Sequence, residues 1–278
     1  MECYEMALNV VSNYAANVAQ RYLQKADAEA SRSVAKLAAG TRVLSASDDA
    51  ASLAVGMTLK ADIAGLKQAA SNVGQAASVI QVADGAMGTI GDILLRMKTL
   101  ATQGSSDQLD DTQRGMLEVE FAALVDEIDR IADVTNFDGK VLTNGASALT
   151  FQVGHSDSTN DRIEVTIDNV TSSALGISAS SVSTLAVAQS AVAEVNAAID
   201  ELAENRANLG AYQNRLEFAG ANIATQMENA EAARSTLMDL DVAAEMSAFT
   251  SKQILQQAGV SMLAQANQMP QNLLRLFR

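Results

Sequence analysis

Apolar positions along this chain keep one period, lose it and regain it. Val73, Ala76, Ile80, Ala83, Met87, Ile90, Leu94, Met97 and Ala101 follow one another at spacings of 3 and 4 throughout. A mean spacing of 3.5 keeps an apolar seam turned toward a partner helix, the sequence rule for a left-handed coiled coil or long bundle. A shorter helix carries Leu117, Phe121, Leu124, Ile128 and Ile131 in the same way and ends near Asn136-Phe137-Asp138-Gly139. The period then falls to two. Leu149-Thr150-Phe151-Gln152-Val153 and Ile163-Glu164-Val165-Thr166-Ile167 alternate as strands do, with the polar segment 154–161 between them, and predict a β-hairpin. A Ser/Thr-rich stretch, 171–184, reads as an irregular or weakly structured connection.

From Leu185 the seam resumes through Ala188, Val192, Val195, Ile199, Leu202, Leu209, Leu216, Gly220, Ile223, Met227 and Ala230, with Arg206 and Gln213 at the remaining seam positions. About forty-five residues at 1.5 Å rise predict a rod of roughly 70 Å. Gly74, Gly85, Gly88 and Gly91 interrupt the earlier seam. Each weakens a helix by about 1 kcal/mol relative to alanine, and close backbone packing is the expected compensation.

Both ends of the chain carry a narrower amphipathic pattern. Near the start, Val11, Tyr14, Val18, Tyr22, Val34 and Leu37 predict one helical stripe, stopped by Gly40 at a C′ position, with the run Ser45-Ala46-Ser47-Asp48-Asp49 offering caps for the next helix. Near the end, Ile254, Ala258, Met262, Ala266, Met269, Leu273 and Leu276 predict a second stripe, loosened or kinked at Pro270. The expected fold is mainly α: a long coiled-coil-like helical bundle with paired N- and C-terminal helices and a small β-hairpin region. Its expected divisions are an extension at 1–5, an inner terminal domain from 6–44 with 237–278, and a rod and hairpin domain from 45–184 with 185–236.

Two such terminal helices hold more apolar surface than they can hide between themselves, with Met6, Leu8, Val260, Leu263, Leu274 and Phe277 adding to it. The surplus must meet other copies, stay disordered or aggregate, and if each end binds neighbours through different patches, a heterologous contact that does not close generates a helical filament. Val11, Val18, Tyr22, Ile254, Met262, Met269, Leu273 and Leu276 are therefore the candidate assembly residues, on helices expected to become fully ordered only in the polymer.

Composition narrows the function. A net charge of −14 argues against nucleic acid and anionic membrane surfaces as partners and is read as mutual repulsion of free subunits. No run of about 18 apolar residues predicts membrane insertion. With no secretory h-region, the chain by itself reads as cytosolic. One histidine, His155, and one cysteine, Cys3, supply neither a metal framework nor a catalytic set, so no enzyme and no cofactor is expected. Cys3 lies in a short segment before Met6, read as a dispensable extension. Carboxylate groups such as Asp107, Asp110 and Asp111 read as solvated helix ends.

Several short sequences then carry a resemblance. Leu37-Ala38-Ala39-Gly40-Thr41-Arg42-Val43 precedes Ser45-Ala46-Ser47-Asp48-Asp49-Ala50-Ala51; Glu127-Ile128-Asp129-Arg130-Ile131-Ala132 precedes Thr135-Asn136-Phe137-Asp138-Gly139-Lys140-Val141-Leu142; and Gln265-Ala266-Asn267-Gln268-Met269-Pro270-Gln271-Asn272-Leu273-Leu274 lies at the end. In this order they resemble the segments of bacterial flagellins, with Asp138 where Asn is commoner. The resemblance covers nearly the whole chain apart from 1–5 and a poorly matched stretch around 168–184.

It implies a short-form flagellin without large outer variable domains, an extracellular structural subunit of the bacterial flagellar filament that polymerises through its terminal helices and supports motility. Export unfolded through the flagellar type III apparatus would replace a cleaved signal and correct the cytosolic reading. Implied partners are other copies in a helical homopolymer, the export apparatus, an export chaperone, and filament cap and hook-associated proteins. Arg96, Leu100 and Gln103, expected on the face opposite the Leu94/Met97/Ala101 seam, and Glu120 on the next helix, match positions that some flagellins present to the vertebrate Toll-like flagellin receptor. Contacts between filament subunits are the competing use of that surface. Ser and Thr residues in 171–184 could accept O-linked glycans. Other functions in view are a flagellin-like cell-surface adhesin or binding protein and a hook–filament junction protein.

Overall fold

The computed structural model describes residues 13–145 and 147–276, with side chains to 269. Met6, Leu8, Cys3, Val11 and Phe277, and the side chains of Pro270, Leu273, Leu274 and Leu276, lie outside the described residues. The elements run α1 (Tyr14–Ala39), α2 (Ala50–Gly104), α3 (Asp111–Val134), β1 (Asn136–Phe137), β2 (Lys140–Val141), β3 (Ser147–Gln152), β4 (Arg162–Ile167), α4 (Leu185–Met238) and α5 (Val242–Leu276). The chain divides into two compact units, one from the residues up to Lys60 with those from Glu231 onward, the other from Ala61–Ala230.

In the second unit all nine seam positions of α2 from Val73 to Ala101 are buried. α2 and α4 run antiparallel: Asp84 meets Arg206, and Gly91 and Gly104 lie against Leu202 and Ala188. Helix α3 folds back along α2, with Arg96 paired to Glu120. Phe121, Ile128, Val195, Ala198, Leu202 and Leu209 enter the same core. Arg206 lies at the edge of the α4 seam, reaching Asp84 at 2.8 Å, and the buried polar residue is its neighbour Asn205. By length and composition α2 could cross a bilayer. Its apolar positions instead form a helical stripe facing α3 and α4.

The α2–α3 turn is held by a buried cation. Arg114 donates from Nε to the Gly104 carbonyl at 2.9 Å, from Nη2 to the Ser106 carbonyl at 3.0 Å, and from Nη1 to Asp111 at 2.8 Å. Its guanidinium thus satisfies carbonyls that the end of α2 would otherwise leave bare. A capping box between Asp110 and Gln113 starts α3.

Strands β3 and β4 pair antiparallel with Leu149 opposite Val165 and Phe151 opposite Ile163. The expected alternation holds along β4, where Ile163, Val165 and Ile167 face the core while Arg162 and Glu164 face solvent. Asn72 of α2 donates to the Gln152 carbonyl at 3.0 Å and holds the hairpin to the helix. A second, smaller hairpin joins β1 to β2 through Asp138 and Gly139, both at positive φ (50° and 78°), the conformation of a two-residue type I′ turn.

Two expectations change. The stretch 171–184 is irregular but firmly held: Ser172 donates from N and Oγ to Asp129 at 2.7 Å, and Leu175, Ile177 and Val182 are buried. Of the four seam glycines only Gly91 faces another helix, with a Leu202 methyl 3.5 Å from where a Cβ would stand; Gly74, Gly85 and Gly88 have open space there, so helix packing does not account for them. Helix α5 spans Pro270 without ending there, which leaves the expected local loosening open to test.

Candidate assembly surface

The first unit is organised by α1 and α5. Asn13 caps α1 by accepting from the Ala16 amide and donates to the Ala266 carbonyl at 2.7 Å. Farther along, Gln256 donates to Asp27 at 2.7 Å and Lys252 donates to Ser33 at 2.8 Å, so the helices run antiparallel. Leu23 packs over Gly259, where an added Cβ would lie 3.2 Å from the leucine methyl.

The less exposed positions of α1 include Ala16, Ala19, Leu23, Ala26, Ala30, Ser33 and Leu37; those of α5 include Phe249, Lys252, Gln256, Gly259, Leu263 and Ala266. Both sets keep spacings of 3 and 4, so the pair has a regular seam, but one in which small and polar side chains outnumber the larger apolar ones, Leu23, Leu37, Phe249 and Leu263. Such a seam permits close approach while burying little area per residue.

The stripes expected from the sequence mostly lie elsewhere. Tyr22 is 70% exposed, Ile254 60%, and Met262 and Met269 are likewise more than half exposed. Val18 is half-buried, and of the predicted α5 stripe Ala266 alone among the described side chains is buried in the seam. Tyr14 and Tyr22 point away because the alanine-rich line through Leu23, Ser33 and Leu37, not the Tyr14/Val18/Tyr22 line, faces α5. That line is readable as 16, 19, 23, 26, 30, 33, 37, but alanine and serine score poorly as apolar signals. Tyr22 and Leu255 share a groove of about 410 Å³ with Leu23, Ala26 and Gly259.

Where α1 hands over to α2 and α4 to α5, the two turns cross. Gly40, left-handed at φ 68°, ends α1. Its carbonyl accepts from the Leu240 amide at 3.2 Å, the Arg42 amide donates to the Met238 carbonyl at 2.7 Å, and Thr41 bridges Asp239. Asp48 accepts from the amides of Leu44 and Ser45, and Asp49 from the amide and hydroxyl of Ser52. The Leu44 amide chiefly holds the Asp48 carboxyl below its ordinary range, and the Ser52 hydroxyl does so for Asp49.

The other candidate contact is divided. Arg96 and Glu120 are exposed and paired at 2.6 Å, and Gln103 is exposed. Leu100 is only 1% exposed and belongs to the core. Three residues on from Met97, it falls beside the seam rather than opposite it, so the expected four-residue surface loses its apolar member. Among the described residues no group of three or more His, Cys, Asp or Glu side chains is placed to hold a metal.

Comparison with known proteins adds the family. Residues 10–148 match the model of the bacterial flagellin N-terminal helical region, and 192–277 that of the C-terminal helical region. A flagellin of Halalkalibacterium halodurans is 39% identical over 250 residues, covering 89% of this chain and 91% of its own. The flagellin of Bacillus subtilis is 35% identical over 308 residues, covering 98% of this chain and 100% of its own. The crystal structure of Bacillus cereus flagellin, 31% identical, covers 59% of this chain and 94% of its own with a TM-score of 0.50. Matched at both ends by the family's helical regions and along most of its length by its members, the chain belongs to the bacterial flagellins.

Proposed function

We propose that this flagellin enters its filament through the outward faces of α1 and α5, the alanine-rich seam between them serving to hold the pair. The chain is a structural subunit of the extracellular flagellar filament and associates with copies of itself. One observation carries the proposal: Tyr14, Tyr22, Ile254, Leu255, Val260, Met262 and Met269 stand more than half exposed on the paired helices. Each such side chain contributes about 1.5–3 kcal/mol when covered, which is ample to drive association of a chain with this negative charge.

Amide exchange tests it. Protection of residues 13–40 and 242–266 is expected to rise on polymerisation while that of 61–230 changes little; equal protection of the terminal segments in monomer and polymer overturns the reading. Export unfolded through a dedicated flagellar apparatus, with a chaperone covering the terminal segments, and later meeting cap and hook-associated proteins, extend the same proposal. The inner terminal domain of 6–44 with 237–278 is its assembling part. Recognition by a Toll-like flagellin receptor would rest on Arg96, Gln103 and Glu120, with Leu100 beneath them, and a reporter assay comparing the monomer with Arg96→Ala tests that.

A further inference from the structure

The segment Gly40-Thr41-Arg42 does more than end one helix and begin another. Its backbone is zipped to the turn between α4 and α5 by the Arg42–Met238 and Leu240–Gly40 hydrogen bonds. Its side chain reaches across as well: Arg42 Nη2 donates to the Leu237 carbonyl at 2.9 Å, in the last turn of α4. The same nitrogen lies 3.5 Å from Ser52 Oγ and 4.0 Å from Asp49, at the start of α2. One guanidinium therefore meets a helix C-terminus, where the macrodipole favours a cation, and a capping carboxylate at a helix N-terminus. On the other side of the crossing, Met238 packs against Gly56, where an added Cβ would lie 2.6 Å from its sulfur.

We propose that Arg42 is a positioning residue for assembly: it clasps the α1–α2 turn to the α4–α5 turn and so fixes the direction in which α1 and α5 leave them. The α1/α5 seam is weakly suited to that task alone, because Ala16, Ala19, Ala26 and Ala30 carry little shape and only a few larger or polar side chains, such as Leu23 against Gly259 and Ser33 on Lys252, tell one register from the next. The clasp sets the register at one end, and Leu23 over Gly259 and Ser33 on Lys252 carry it along the pair. Register in turn decides which bulky side chains of α5 stand beside Tyr14 and Tyr22. This inference rests on the reading that those outward faces assemble.

The test measures the critical concentration for seeded polymerisation of full-length Arg42→Ala, Arg42→Gln, Arg42→Lys and, in parallel, Ile254→Ser. Arg42→Ala is expected to raise it about tenfold, Arg42→Gln to recover part by keeping a donor for the Leu237 carbonyl, and Arg42→Lys part by keeping charge without the planar fork. Denaturant unfolding of the core from Ala61–Ala230 is expected not to move, which separates positioning from general loss of structure. Wild-type critical concentrations in all three Arg42 variants, with Ile254→Ser impaired, overturn the clasp and leave the assembly reading standing. An unimpaired Ile254→Ser overturns the assembly reading itself. Should Arg42→Ala give no soluble subunit, Arg42→Gln and Arg42→Lys decide by the same criterion.

Discussion

The α2/α4 seam and the α1/α5 seam obey one spacing rule and reach opposite ends. Along α2, Ile80, Met87, Ile90, Leu94 and Met97 are fully buried, and α3, α4 and the hairpin close over them. Along α1 the corresponding line runs from Ala16 through Leu23, Ala30 and Ser33 to Leu37, and across it Gly259, Gln256 and Lys252 stand between Leu263 and Phe249, none of these larger side chains fully buried. Spacing decides which face of a helix pairs; side-chain size and polarity decide whether the pair satisfies itself. The first region is complete as a folded core. The second keeps Tyr22, Ile254, Met262 and Met269 facing outward, on the faces proposed to meet other copies.

The sharpest way to break this comparison is to remove volume from the first region. Phe121 is fully buried among α2, α3 and α4 residues. Phe121→Ala is expected to cost about 3–5 kcal/mol by lost transfer energy and the cavity left behind. Denaturant unfolding of the monomer measures it, and a cost under about 1 kcal/mol, the level of an ordinary surface change, would mean that the core is not close-packed. Arg114→Ala comes next, at about 2–3 kcal/mol, since it strips the buried partner from the Gly104 and Ser106 carbonyls. A loss no larger than that of Arg206→Ala, whose ion pair with Asp84 is roughly half exposed, would show that water replaces the guanidinium.

In the second region the order of effects should invert. Met262→Ser removes a side chain that is 63% exposed in the free subunit, so monomer unfolding is expected to change by no more than about 0.5 kcal/mol. Polymerisation should nevertheless require several-fold more subunit, because the methionine is covered only by neighbours. Equal polymerisation with an altered monomer would place Met262 inside the chain's own packing and erase the distinction between the two regions.

How much of the molecule is legible in its sequence follows from the same contrast. Every α2 seam residue named from spacing is buried, and β3 and β4 fall within about two residues of the predicted strands, because large apolar side chains report their own burial. In the terminal helices the strongest apolar signals, Tyr22, Ile254 and Met262, belong to the outward faces, so a rule equating apolar with inward selects the wrong face of the pair. Leu100 stands one step around the helix from its expected face, because the buried arc of α2 is wider than a two-position seam. Asp138-Gly139 reads as a helix stop, although Asp-Gly is also a hairpin signal, and the turn serves both uses. The clasp at Arg42 lies beyond the reach of sequence because its partners, Leu237 and Met238, contribute carbonyl oxygens, which carry no side-chain signature. The same holds for two of the three acceptors of Arg114, the Gly104 and Ser106 carbonyls.

The smallest expected effect separates the regions electrostatically. In the terminal unit, Asp48 and Asp49 are held low by amides and the Ser52 hydroxyl; in the core unit, Glu127 is held low chiefly by its hydrogen bonds to Arg130, with charge attraction adding to them. All three carboxyls have folded values below their unfolded ones. Their contribution to stability is therefore present above the unfolded value, about 3.9 for aspartate and 4.3 for glutamate, and is lost as pH falls through the lowered one. Carboxyl-carbon chemical shifts followed through acid titration should place each midpoint below those values. Added salt should move Glu127 back toward its ordinary value, since screening weakens an exposed ion pair, and move Asp48 and Asp49 less, since short-range hydrogen bonds are screened little. A salt response as large at Asp48 as at Glu127 would assign its shift to Lys36 and Arg32, the nearby cations on α1, and would make the turn an electrostatic contact instead of a hydrogen-bonded cap.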